Sequence, residues 1–319
     1  MMQFSRSLLA VPFLAGAMMT FVGCSGGEAT PTPDTPTPTP TATPVPPLSD
    51  YFRVTKMEVG ASSEGVDLNG DGEVDNGIED ALDEISSTIV SAVETALDTA
   101  EVPQTQQAPI LAAVDQIVSS IFTVDAISES LNAPIAAGDL NYVMHFQETS
   151  SGVELMWYTA DFKETGFGLK DDLGTQSGDL DGSGKGLFGP GDITLTLSFA
   201  SPNGETSTDV DLLLEAGYTS VSGYSSSLLN NAVSGGAISI GFLLDLVETA
   251  LEAVNEALGQ LPDNPNNPDG GVVIPTDEIV TALNESLTEQ ADLDLNNDGT
   301  FDSFSIGLIL NANTVTIVD

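Results

Sequence analysis

Basic residues are almost missing from this chain: its 319 residues carry 6 Lys and Arg against 48 Asp and Glu, a formal net charge of −42. Nucleic-acid binding needs clustered cations to neutralise phosphate, so that class of partner is excluded. An anionic lipid surface would be repelled for the same reason. Cysteine occurs once, at Cys24, so no intramolecular disulfide can staple the fold. Stability has to come from an apolar core, aided by any metal the chain's oxygens hold. Histidine also occurs once, at His145, which removes His-rich zinc sites and leaves little for general-base chemistry. No P-loop, nucleophile elbow or H-E-x-x-H helix is present. The apolar run from Leu8 to Val22 holds Pro12 and Gly16 and falls short of the ~20 residues that span a bilayer.

What is present falls into three parts. A basic start at Arg6, the apolar run, and Gly23 directly before Cys24 follow signal-peptide order. Thr30 to Pro47 then alternates Thr and Pro with hardly an apolar residue, so it cannot build a core and reads as an extended stalk. At ~3.1 Å per residue such a stalk reaches about 55 Å. Residues 48–319 supply enough apolar chain for one domain with a sizeable core.

Phe21-Val22-Gly23-Cys24 resembles the lipobox of bacterial lipoproteins, with Phe21 where that motif usually has Leu. The resemblance implies a signal peptide over residues 1–23, acylation of Cys24 as the mature N-terminus, and a lipidated stalk over residues 24–47. Ser25, in place of Asp after the cysteine, implies sorting to the outer membrane, on its periplasmic or its surface face.

Periodicity assigns the elements of the domain. Ile78, Leu82, Ile85, Ile89, Val93 and Leu97 recur at helical spacing, with Asn76 as the expected cap and Glu79 completing a capping box. Pro109 is expected to open a second helix carrying Ile110, Val114, Ile117, Val118 and Ile121. Strands are expected at 51–59, 140–147, 153–158, 193–199, 210–216 and 218–224, followed by a buried helix from Ile238 to Leu258. A last helix, Asp277 to Leu287, is expected to be capped by Thr276 and to lead into strands at 304–310 and 315–317. The expected fold class is α+β, a single domain with one mostly antiparallel sheet covered by amphipathic helices.

The candidate chemistry lies in acidic loops. Asp67, Asn69, Asp71, Gly72, Glu73 and Asp75 repeat as Asp294, Asn296, Asp298, Gly299, Thr300 and Asp302, in the shared pattern D-L-N-x-D-G-x-x-D. Alternate side chains and the Glu73 and Thr300 carbonyls present hard oxygens, and the glycine permits a sharp turn, which suits calcium. Asp292 adds one more acid beside the second loop. The alternative reading is a pair of Asp/Asn/Gly turns that cap helices and reverse the chain. Both loops resemble EF-hand-like, dockerin and thrombospondin type 3 loops. An EF-hand has a bidentate Glu at its last position, where this chain has Ile78 and Ser305. Dockerin loops sit close together in sequence, and these two do not, which argues against cohesin docking. A sparser third segment has Asp179, Asp181, Ser183 and Asp192 in a Gly-rich run, which reads equally as a flexible polar loop.

Catalytic constellations are few. Glu148, Glu154, Asp161, Glu164, Asp171 and Asp172 are candidates for the paired carboxylates of a glycosidase by region only. Trp157, Tyr158, Tyr218 and Tyr224 read either as core or as a sugar-stacking face. The sequence therefore points to a non-enzymatic, lipid-anchored, calcium-stabilised envelope protein that binds a cell-surface polymer or another envelope protein. The alternative is a secreted carboxylate-based hydrolase with structural calcium loops.

Overall fold

A computed structural model describes residues 49–200, 207–225, 227–259, 272–295 and 299–318. The signal segment, Cys24 and the stalk lie outside the described residues.

The elements are β1 (Ser49–Val59), α1 (Ile78–Thr99), α2 (Gln104–Ser119), α3 (Val124–Ala137), β2 (Tyr142–Thr149), β3 (Gly152–Lys163), β4 (Gly166–Leu180), β5 (Gly186–Ala200), β6 (Ser207–Val221), β7 (Tyr224–Ser225), β8 (Leu228–Ser239), α4 (Ile240–Gly259), α5 (Thr276–Gln290) and β9 (Ser303–Thr314). Every strand pairing is antiparallel, in the order β6-β5-β4-β3-β2-β1-β9-β8, and β6 pairs back onto β8. The result is a closed barrel of 8 strands, with β7 as a short addition to β8.

This corrects the expected open sheet covered by helices. A strand with one buried face alternates with period two whether its sheet stays open or closes, so periodicity alone could not separate the two. Closure needs bends, which the register shifts between Val54 and Lys56, Phe188 and Gly191, and Glu215 and Tyr218 provide. Glycine makes close approach possible where a side chain would collide. At Gly174, with φ +145°, a Cβ would stand 2.0 Å from the Asp192 carbonyl oxygen.

The inside of the barrel is filled. Phe52, Val54, Met57, Tyr142, Met144, Phe146, Leu155, Trp157, Leu195, Leu212 and Leu308 are all buried. A small polar group shares that interior: Gln176 donates to the Gly217 carbonyl at 2.8 Å, and Thr219 links it to Ser234. The outer wall of β5 and β6 is polar instead, with Thr196 donating to Asp211 and Ser198 to Asp209. That arrangement is the inverse of a lipid-facing barrel, which wears an apolar band outside.

Alternation of strand direction puts all five helices at one end. β1 and β8 finish there, β2 and β9 begin there, and the segments between them are α1–α3 and α4–α5. α1, α2, α4 and α5 pack on one another through Ile85, Ile89, Val118, Val247, Leu251 and Leu283, and join the barrel interior in one continuous core. α3 touches both β1 and β5, which stand opposite each other in the ring, so it lies across the barrel mouth. Its side chains replace β2 as a partner for the end of β1: Met57 N–H donates to Asn132 Oδ1 and Val59 N–H to Ser128 Oγ. Arg53 anchors the same helix, donating to Asn141 Oδ1 at 2.9 Å and to the Ile135 carbonyl at 3.1 Å.

Several local expectations change as well. Pro109 lies inside α2 and Pro134 inside α3, a helix absent from the sequence reading. β4 and β8 are further additions, and the two strands expected at 210–216 and 218–224 merge into β6 as far as Val221, with an irregularity at Ala216, while Tyr224 belongs to β7. Thr276 starts α5 without a side-chain capping bond. The segment after β9 is not a full strand; Val315 and Val318 donate to the carbonyls of Tyr51 and Phe167, tying β1 to β4.

Candidate metal-binding loops at the barrel–helix seam

The first acidic loop leads from β1 to α1 and the second from α5 to β9. Because β1 and β9 are hydrogen-bonded neighbours whose loops sit at the same end, the two motifs meet where the barrel rim joins the helices.

In the first loop each candidate side chain folds back on the loop's own backbone. Asp67 accepts from Gly70 N–H at 2.6 Å and from Gly72 N–H at 2.9 Å. Asn69 accepts from Asp71 N–H, and Asp71 from Glu73 N–H. Asp75 accepts from Leu68 N–H at 2.6 Å and from Asn69, closing the loop beside the Val66–Asp75 bridge. Gly70 and Gly72, at φ +80° and +90°, hold backbone angles that favour glycine. The Asp75 carboxyl is held above its ordinary value by burial first, with Asp292 and Asp71 adding like-charge repulsion; its two backbone bonds oppose this.

In the second loop Asp294 accepts from Gly299 N–H at 2.8 Å, the counterpart of Asp67 with Gly72. Gly299 has φ +89°, and a Leu293–Ser303 bridge closes the loop base. Asn296 and Asp298 lie outside the described residues, and Thr300 and Asp302 lead into β9. Val74 and Phe301, at the same position of each loop, are 45% and 50% exposed, a match the sequence reading missed.

Among the described residues, no three His, Cys, Asp or Glu side chains converge as a metal cluster. In the first loop Asp67, Asn69, Asp71 and Asp75 each accept from amide N–H groups, and the Asn69 amide and the Glu73 carbonyl complete its candidate donor set.

The seam between the loops is a hydrogen-bond network that spacing could not disclose. Asn76 does not cap α1. Its amide donates to the carbonyls of Gly60, Ala61 and Glu64, and its oxygen accepts from Gly307 N–H on β9. The α1 cap comes from across the chain: Gly77 N–H donates to Ser305 Oγ at 2.6 Å, and Ser305 in turn donates through Oγ and N–H to Asp292. Beside this network Asp80, Asp83, Glu84 and Asp292 line an acidic cleft of about 540 Å³.

The third acidic segment is a hairpin turn between β4 and β5. Asp181 accepts from Ser183 N–H and Oγ and from Lys185 N–H, which holds its carboxyl below the ordinary value. Asp179 belongs to β4, whereas Asp192 lies well along β5 and accepts from Ala216 N–H, so Asp192 does not join the turn.

Asp161 and Asp171 are exposed, paired with Lys170 and Thr159. Glu154 pairs with Gln147 and Glu148 with Val153, so these two carboxylates lie on opposite faces of the β2–β3 pair; Asp172 is on β4, and Glu164 is in the β3–β4 turn. The four aromatics do not form one face: Trp157 and Tyr224 belong to the interior, and Tyr158 to the outer wall. His145 is 6% exposed and stacks flat on Tyr51 at 3.9 Å, with Ser49 Oγ 3.3 Å from Nε2. Burial holds its pKa below the ordinary value of 6.5, and Asp50 partly opposes this.

No family model, curated protein or solved structure matches this chain.

Proposed function

We propose that this chain is an exported, lipid-anchored protein of the bacterial cell envelope, whose barrel domain is a binding or structural module braced by calcium. The anchor reading rests on the lipobox-like residues before Cys24, with the Thr/Pro stalk as spacer and the outer membrane as destination. The observation that carries the calcium reading is the recurrence of D-L-N-x-D-G-x-x-D on the rim ends of two adjacent strands, β1 and β9. An ion at either loop would tie a helix to the rim: α1 through Asp67, Asn69, Asp71, Asp75 and the Glu73 carbonyl, and α5 through Asp294, Asn296, Asp298, Asp302 and the Thr300 carbonyl.

Weak affinity follows from the ligand count. Each loop offers about five oxygens without a bidentate acid, and the first loop must exchange several amide bonds for the ion, so Kd falls in the extracellular range of about 0.1–1 mM. At tenfold excess over Kd, calcium stabilises the fold by about 1.4 kcal/mol per site. Melting followed with calcium and with chelator at low ionic strength tests this: the midpoint rises with calcium and falls with chelator. A midpoint indifferent to both returns the loops to the role of turns. A filled barrel and a charged outer wall favour a surface-binding role, for a cell-surface polymer or an envelope protein, over catalysis within a cavity.

A further inference from the structure

We propose that Ser305, Asp292 and Asn76 form a latch that makes the first loop, the α1 N-terminus and the entry to the second loop order and loosen together. The latch stands on hydrogen bonds and does not depend on the calcium reading. Ser305 is fully buried on β9, yet its hydroxyl accepts from Gly77 of the first segment and donates to Asp292 of the second. The three residues come from three chain segments, and their side-chain bonds add to the Leu293–Ser303 bridge and the Gly60–Gly307 backbone bond at the same seam. Gly77 N–H is a half-buried helix-start donor whose partner in the fold is Ser305 Oγ, so losing that hydroxyl costs α1 this cap. Asp292 loses a donor in the same event. The Asp292 carboxylate lies close against this turn: a Cβ at Gly77 would stand 2.6 Å from Asp292 Oδ2. Asn76 fixes the other side, holding the Gly60–Glu64 turn while it accepts from Gly307 on the strand that carries Ser305. Displacing either loop therefore breaks bonds that position the other.

Hydrogen exchange of the full chain in chelator, followed by mass spectrometry, tests the latch. In Ser305→Ala, exchange at the start of α1 and in residues 292–295 rises together, by about fivefold or more, while the β4–β5 turn is unchanged. A rise at one segment alone, or at neither, overturns the proposal. Should Ser305→Ala fail to fold, Asp71→Ala probes the link from the first loop: faster exchange at residues 292–295 supports the latch, and unchanged exchange there overturns it. Added calcium separates the two ideas. In Asp298→Ala, which loses the second loop's own ligand, calcium that slows exchange in the first loop and at residues 292–295 together supports the latch, and slowing in the first loop alone overturns it; slowing in neither removes the calcium reading, while the chelator experiment still decides the latch.

Discussion

Replacing Arg53 tests how the helices are held over the barrel mouth. This guanidinium has a hydrogen bond to Asn141 Oδ1, another to the Ile135 carbonyl in the last turn of α3, and the Phe167 ring 5.6 Å from its central carbon. A bond from a charged donor contributes about 1.5–3 kcal/mol, and a cation over an aromatic ring at a partly exposed site about 0.5–1 kcal/mol. The contacts share one side chain and cannot simply add, so Arg53→Met is expected to lose about 3 kcal/mol. Arg53→Lys keeps the charge but lacks the planar fork, and is expected to lose about half of that. In so acidic a chain any lost cation adds general repulsion, and Lys170→Met controls for it. Lys170 lies 3.5 Å from Asp161 with both side chains more than half exposed, and an exposed pair of that kind is worth about 0.5 kcal/mol or less. Urea unfolding of the purified protein at fixed ionic strength measures all three. If Arg53→Met and Lys170→Met lose equal amounts, Arg53 acts through charge alone and its anchoring of α3 is refuted.

Gly307→Ala places a Cβ 2.4 Å from the Glu64 carbonyl oxygen and 2.7 Å from Gly65 Cα; since both are backbone, a loss of about 1–3 kcal/mol in urea unfolding is expected, and a neutral result would refute the tight seam. The pKa of His145 is depressed in the fold, so the unfolded chain binds the extra proton: its contribution is fully present above the ordinary value of 6.5 and is lost as pH falls from there toward the folded value. Melting at pH 7.5 and 5.5 therefore shows a drop that His145→Gln reduces, and an equal drop in both proteins would contradict the burial argument.

Much of the local structure was legible because burial imposes a period on the sequence. Ile78 through Leu97 appear as one buried helix stripe, and Ile193, Leu195 and Leu197 as one buried strand face. α3 was hidden by Pro134, which sits inside a helix that Thr123 and Gly138 cap well. β4 was hidden because Gly166, Gly168, Gly174 and Gly178 stand where apolar alternation would have marked a strand, allowing neighbouring backbones to come close. The acidic loops were readable as motifs, but Asn76 looked like a cap because its position in sequence suits one, and only the path of β9 gives it other partners.

The sequence by itself determined the charge, the single cysteine, the Thr/Pro run, the helical and strand faces and the two repeated loops, since each depends on residues near one another in the chain. Tertiary structure alone decided that the sheet closes, because pairing β6 with β8 joins edges that carry no distinguishing pattern. It also decided that the two loops share one seam. Their nearness follows from β1 and β9 being neighbours with connections at the same end, a fact of strand order that local spacing does not encode.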